Sequence, residues 1–205
     1  MTTALTLENI CLLRGGRMLL SGLSLRLEPG AVLALQGPNG TGKTSLLRAI
    51  AGFLPLAAGT ITVEHNGLRL DDGEERGALI GWLGHHDAIK PQLTVREQAL
   101  FWTRLYASRL DVDAALKRFG LGGLADAPGQ LLSAGQRRRL AFARLVLSGR
   151  PLWLLDEPLS ALDEAGRGRA AEAIAAHAAA GGIVLAATHE PLGVECQHLM
   201  LGRSA

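Results

Sequence analysis

The stretch that decides the fold of this chain reads Gly37-Pro38-Asn39-Gly40-Thr41-Gly42-Lys43-Thr44. It matches G-x-x-x-x-G-K-[ST], the phosphate-binding loop that joins a buried strand to a helix. The flanking sequence agrees, because residues 31–36 (AVLALQ) are typical of a buried strand and residues 45–51 (SLLRAIA) are typical of a helix. The sequence therefore predicts a strand–loop–helix unit with a phosphate site at its turn.

Each residue type in this loop has a physical reason to be there. Glycines let backbone N–H groups surround a phosphate without a Cβ in the way. The helix N-terminus adds partial positive charge, and Ser45 belongs to that first turn. We expect Lys43 to reach the β- and γ-phosphates of a nucleotide and the Thr44 hydroxyl to hold Mg²⁺.

Composition limits the class of protein. A chain of 205 residues is one domain or one domain with a subdomain, and its net charge of +2 is too small to indicate a nucleic-acid or acidic-membrane partner. Two distant cysteines, Cys11 and Cys196, suit a reducing compartment. No apolar run approaches a membrane span and no signal peptide is evident, so we expect a cytosolic or peripheral protein.

The order of the patterns predicts an α/β architecture. Residues 5–27 alternate as antiparallel strands would, and short apolar runs at residues 80–83, 152–155 and 183–187 read as buried strands alternating with helices. Between them, residues 88–149 read as an all-helical insert, with capping boxes that begin helices at Thr94 and Ser133. We therefore expect one domain, with a core of residues 1–87 and 150–205 and a helical subdomain of about 88–149.

A second candidate site element follows the strand at residues 152–155. Asp156 and Glu157 lie at its carboxyl end, where open α/β sheets bind ligands. Asp156 is placed to hold Mg²⁺, directly or through water, and Glu157 is placed to take a proton from an attacking water.

Three further motifs carry a family resemblance. Leu132-Ser133-Ala134-Gly135-Gln136 matches the L-S-x-G-Q signature of the ATP-binding-cassette ATPases, Ser160-Ala161-Leu162-Asp163 resembles their D-loop, and His189 resembles their switch histidine. The resemblance implies a P-loop NTPase fold with a RecA-like core, an N-terminal antiparallel β subdomain and a helical insert. It also implies ATP and Mg²⁺ as ligands, His189 near the γ-phosphate, and a homodimer in which Ser133, Gly135 and Gln136 of one copy close over the nucleotide of the other.

The sequence departs from the family pattern in places. By position we assign His86 to the hinge where the family has a catalytic glutamine, and imidazole changes its charge near neutral pH. Paired histidines here could instead ligate a metal or haem.

Arg14 stands where an aromatic residue usually stacks on adenine, and it either stacks through its guanidinium or is simply solvated. We interpret the basic run of residues 137–139 as helix surface, and Phe101, Trp102 and Tyr106 as subdomain core or as a groove for a partner helix.

Several strings resemble one branch of the family, the ATP-binding subunits that serve haem export in cytochrome c maturation. They are residues 83–85, 132–139 (LSAGQRRR), 150–163 (RPLWLLDEPLSALD) and 181–191 (GGIVLAATHEP). This resemblance implies an integral membrane permease partner, indirect haem-pathway partners and a place on the cytoplasmic face of the bacterial inner membrane. A transporter of another substrate, a nucleic-acid-associated cassette ATPase and a non-hydrolysing regulatory subunit are the alternatives. The short insert disfavours the second, and the intact motifs disfavour the third.

Overall fold

The computed structural model describes residues 2–202 and contains two β-sheets. The first is antiparallel, with four strands in the order β2-β1-β4-β5. Their bounds are β1, Thr3–Arg14; β2, Arg17–Leu27; β4, Ala58–His65; and β5, Leu68–Leu70. β1 and β2 form a hairpin through Gly15 and Gly16, both of which have positive φ, a conformation that glycine adopts without strain. This hairpin brings Arg14 and the start of β2 beside the phosphate loop.

The second sheet is parallel, with five strands in the order β6-β7-β8-β3-β9. Their bounds are β3, Val32–Gln36; β6, Ile80–Leu83; β7, Leu152–Asp156; β8, Ile183–Ala187; and β9, Gln197–Met200. β7 and β8 are buried along their whole length, as strands covered on both faces must be. Parallel strands share one carboxyl edge, so the loops after β3, β6, β7 and β8 meet there.

Residues 2–202 also contain six α-helices: α1, Lys43–Ile50; α2, Gly73–Gly77; α3, Val95–Leu105; α4, Val112–Arg118; α5, Ala134–Leu147; and α6, Glu164–Ala179. Both predicted capping boxes form. Thr94 and Glu97 exchange hydrogen bonds at the start of α3, and Ser133 and Gln136 do so at the start of α5. α3, α4, α5 and two short 3₁₀ helices lie between β6 and β7, as the helical reading of that stretch predicted.

Two apolar cores hold these layers together. One lies between the two sheets and includes Leu5 of β1, Leu46 of α1 and Leu154 of β7. The other joins the opposite face of the parallel sheet to the helices and includes Phe119 and Phe142, whose rings stack. The P-loop α/β fold with an antiparallel subdomain is therefore confirmed, and the buried apolar residues of α1 belong to the core between the two sheets.

The structure differs from the sequence reading at three places. Residues 66–77 are polar and show no helix or strand period in the sequence, but they contain β5 and α2, whose first turn is capped by Asp72. The sequence analysis placed Arg138 on the helix surface, but Arg138 is only 2% exposed, because it lies against the parallel sheet. Phe101 is 45% exposed and is therefore not a core residue, whereas Trp102 and Tyr106 are partly buried.

Candidate active site

The phosphate loop is a tight backbone turn that only glycine permits. Gly37 has φ of 136°, and a Cβ there would lie 2.2 Å from the carbonyl oxygen of Leu201. Gly42 has φ of 100° and caps α1 in the left-handed conformation. The helix consequently begins at Lys43, and its first N–H groups open toward the carboxyl edge of the parallel sheet.

Lys43 is a buried cation inside this loop. Its Nζ donates hydrogen bonds to the carbonyl oxygens of Gly37, at 2.6 Å, and Pro38, at 3.1 Å. Thr41 Oγ1 donates to the same Pro38 oxygen at 2.9 Å. The residue is 7% exposed, so its charge is shielded from water and acts strongly on anything that enters the loop.

Two oxygen ligands meet where α1 faces the end of β7. Thr44 Oγ1 donates to Asp156 Oδ1 at 3.0 Å, across 112 residues of sequence, and Asp156 is 3% exposed. A hydroxyl beside a buried carboxylate is a donor set that suits Mg²⁺, which prefers oxygen ligands and retains several of its waters. The residues present therefore fit the magnesium ion that the loop predicts.

Glu157 is held in an unusual backbone conformation beside His189. Its φ is 47°, a left-handed value that costs about 1 kcal/mol or more for a residue with a Cβ. Its N–H donates to the Ala187 oxygen of β8 at 2.8 Å. The carboxylate Oε1 lies 3.6 Å from His189 Nε2, which in turn lies 3.1 Å from Asn39 Oδ1 of the phosphate loop. A carboxylate and an imidazole thus face the loop from two strands.

One cavity of about 330 Å³ collects these groups. Its lining includes most of the predicted loop together with both carboxylates, His189 and Arg14: Arg14, Leu19, Asn39, Gly40, Gly42, Lys43, Thr44, Ser45, His85, Asp156, Glu157 and His189. The loop residues Gly37, Pro38 and Thr41 are not part of this lining within residues 2–202. Leu19, which the sequence analysis missed, adds an apolar side chain to this lining.

The hinge after β6 carries two histidines, of which the sequence analysis assigned His86 to the site. His85 lines the cavity and His86 is not part of its lining within residues 2–202, although both histidines are exposed. The cavity-facing histidine at this hinge is therefore His85.

The signature residues lie elsewhere. Ser133, Gly135 and Gln136 form the N-terminus of α5, and none of them belongs to the lining of this cavity in the described part of the chain. Gly135 packs against the segment after β7, since a Cβ there would come within 2.9 Å of the Ala161 oxygen. Ser133 is exposed, so this helix end faces outward.

The site combines a glycine loop that holds a buried lysine, a hydroxyl–carboxylate pair, and a second carboxylate beside a histidine. These groups define a P-loop nucleoside-triphosphate hydrolase. The family model described as ABC transporter matches residues 20–160, and the chain belongs to this family. It is an ATP-hydrolysing ABC transporter subunit.

Curated relatives give the same family and a narrower name. The chain is 48% identical over 193 residues to the "Cytochrome c biogenesis ATP-binding export protein CcmA" of Nitrobacter winogradskyi, covering 94% of each chain. It is 46% identical over 192 residues to the protein of that name from Paramagnetospirillum magneticum, covering 91% of this chain and 88% of the relative.

Solved structures share the fold. A putative ABC transporter ATP-binding protein from Pyrococcus furiosus matches with a TM-score of 0.82 at 23% identity, over 97% of both chains. A bacterial Atm1-family ABC exporter with ATP bound matches with a TM-score of 0.83 at 24% identity, over 98% of this chain and 37% of that one. Within residues 2–202, no helix combines the length and apolar character needed to cross a membrane.

Proposed function

We propose that this chain hydrolyses Mg–ATP at the cavity described above and that the hydrolysis supports cytochrome c maturation. The observation that carries the catalytic part is the set Glu157, His189 and Asn39, which faces the Thr44–Asp156 pair across the loop. The cellular role is supported by relatives that are 44–48% identical over most of this chain and bear the cytochrome c biogenesis name.

The loop binds and orients the triphosphate. Lys43 and the N–H groups at the start of α1 neutralise the phosphates, while Arg14 and Leu19 offer a stacking surface to the base. Thr44 and Asp156 would hold Mg²⁺, which when bound offsets negative charge on the phosphate oxygens.

Glu157 accepts the proton of the attacking water. Its carboxylate lies at the cavity wall, and its distance of 3.6 Å from His189 places both groups on one side of the space. His189 keeps its orientation through Asn39, so the loop that holds the phosphates also positions the imidazole. Such a site positions the attacking water and supplies no covalent chemistry.

The exposed N-terminus of α5 supports a homodimer. A capped helix end is suited to an anion, yet Ser133 and Gly135 are not part of their own chain's cavity. In a head-to-tail pair of copies, Ser133, Gly135 and Gln136 of one copy would complete the ATP site of the other. This arrangement uses the helix end that the single chain leaves outside its site.

The surface of α3 supports a membrane partner. Phe101 and Leu105 are 45% and 59% exposed, and the rings of Phe101, Trp102 and Tyr106 contact one another in sequence. An apolar, aromatic helix face suits a short amphipathic helix of an integral permease, CcmB-like in this proposal. The chain would then lie peripherally on the cytoplasmic face of a bacterial inner membrane, with haem-pathway proteins as indirect partners.

The test examines ATP hydrolysis and the role in cytochrome c maturation separately. Purified with its permease, the wild type should hydrolyse Mg–ATP and the Lys43→Ala variant should not. In a bacterial strain that lacks its own haem-export ATPase, the wild-type gene should restore covalent haem staining of c-type cytochromes. Active ATPase without restored cytochromes would indicate a transporter of another substrate. The absence of ATPase activity with the permease present would overturn the proposal.

A further inference from the structure

Arg138 is a buried cation whose hydrogen bonds join two parts of the site. It lies on α5 and is 2% exposed. Its Nε donates to Pro158 O at 3.0 Å, Nη1 donates to Gly84 O at 2.7 Å and Asp87 Oδ1 at 2.9 Å, and Nη2 donates to Asp156 O at 2.9 Å and Glu157 O at 2.5 Å. Every nitrogen of the planar guanidinium is therefore used.

Three of these acceptors are consecutive backbone carbonyls at the end of β7. The carbonyls of Asp156, Glu157 and Pro158 converge on one guanidinium at the point where the chain enters the left-handed conformation of Glu157. A conformation of this kind persists only when its surroundings hold it. Arg138 is well suited to hold it, because its donors are fixed in a rigid fork.

The other two acceptors lie in the hinge after β6. Gly84 precedes His85, the cavity-facing histidine, and Asp87 follows it two residues later. Asp87 pairs with Arg138 at 2.9 Å with its side chain 19% exposed, so the charge of the arginine is compensated. A second arginine of α5, Arg144, donates to Trp82 O and Asp87 O and thereby fixes the same hinge from its other side.

We propose that Arg138 is a positioning residue for ATP hydrolysis, which holds the backbone of Glu157 and the hinge of His85 in one fixed relation. The proposal rests on the function of Glu157 proposed above. Arg138 touches neither the cavity nor its contents; it acts through the two segments that do. Displacement of a catalytic group by about 1 Å can lower a rate by about 100-fold, so a loss of this clamp should appear in kcat.

The experiment compares Arg138→Gln and Arg138→Lys with Arg139→Gln in the complex with the permease. Arg139 makes a matched control, because its Nη1 donates to Phe119 O inside the helical layer and, among residues 2–202, it forms no hydrogen bond with either segment. We expect Arg138→Gln to lower kcat about 10- to 100-fold, with the KM for ATP changed by less than about 3-fold. Arg138→Lys keeps the charge but not the fork, and should recover only part of kcat.

A merely structural role would give a different pattern. Thermal unfolding and binding of a fluorescent ATP analogue report on stability and affinity, and a double-mutant cycle with Asp87→Asn should show that the two losses in kcat are not additive. The proposal is wrong if both Arg138 variants keep kcat within about 2-fold of the wild type, if Arg139→Gln lowers kcat as much, or if neither Arg138 variant folds. An inactive wild-type complex would instead overturn the proposed function.

Discussion

The two histidines that follow β6 differ in whether they line the cavity. Both are exposed, but within residues 2–202 only His85 belongs to the lining of the cavity, together with Glu157 and His189. An imidazole at this position can donate or accept one hydrogen bond to water or phosphate, as an amide can. We propose that His85, rather than His86, takes the place of the glutamine that the family resemblance implied for this hinge.

Substitution of these histidines should give unequal results. His85→Gln should keep most of the ATPase activity, because an amide reaches the same space, and His85→Ala should lower kcat about 10- to 100-fold. His86→Ala is the matched control and should stay within about 2-fold of the wild type. Steady-state ATPase kinetics of the complex with the permease measure all three variants, and a larger loss for His86→Ala than for His85→Ala would contradict this assignment.

Helices α3 and α5 both begin with a capping box. Thr94 with Glu97, and Ser133 with Gln136, form matched capping boxes. Replacing either cap with alanine should cost about 1 kcal/mol of unfolding free energy. Only Ser133→Ala should also weaken ATP-dependent dimerisation, since Thr94 lies far from any signature residue in sequence and caps a different helix. Chemical denaturation measures the first effect and sedimentation with ATP measures the second.

The comparison of the two variants is decisive because their stability costs match. If Thr94→Ala weakens the dimer as much as Ser133→Ala does, the loss reflects stability alone and α5 has no special part in nucleotide binding. If neither affects the dimer while both lower stability, the hydroxyl of Ser133 acts only as a helix cap.

His177 of α6 should make stability depend on pH. Its ring stacks on Trp153 with centroids 3.8 Å apart, and its Nε2 lies 3.1 Å from Pro151 O. Burial lowers the pKa of His177 to about 4, from an ordinary value of 6.5, although the hydrogen bond opposes this shift. Between these values the unfolded chain takes up a proton that the folded chain does not. The stabilisation is therefore full above the ordinary pKa and is lost as the pH falls toward the folded value.

Urea denaturation of the wild type and of His177→Gln measures this loss. The wild type should lose about 1 to 2 kcal/mol more than the variant between about pH 7 and about pH 5. His198→Gln is the control, because His198 is exposed on β9. Equal losses in the wild type and the His177 variant would show that the ring is protonated in the folded protein.

The sequence predicted most of this architecture, and the exceptions have physical reasons. Strong periodicity and caps located α1, α3, α5 and the buried strands, whereas β5 and α2 are too short to show a period among turn residues. The burial of Arg138 needs contacts with Gly84 and Pro158, which are 54 and 20 residues away, and no local pattern contains them. The choice between His85 and His86 depends on how the bend after β6 is oriented, which only packing decides.

In the homodimer proposed above, each chain completes the catalytic site of the other. The carboxyl edge of the parallel sheet gathers the phosphate loop, Glu157 and His189, while the helical layer carries the α5 N-terminus to a separate, exposed position. A second copy related by a two-fold axis would supply that N-terminus to each cavity, and a two-fold interface presents the same patch twice. ATP would then be part of the interface, so its binding and the dimer would be linked.

This linkage predicts a dimer that depends on unhydrolysed ATP. Glu157→Gln should keep the nucleotide bound, because it removes the proton acceptor while leaving the loop intact. Sedimentation of this variant with the permease absent should show a monomer without nucleotide and a dimer with Mg–ATP. Combining it with Ser133→Ala should raise the ATP concentration needed for dimerisation about 10-fold or more, whereas Thr94→Ala should not change it. A variant that binds ATP and remains a monomer at every protein concentration would contradict the shared site, because each cavity would then be filled without the partner's helix end.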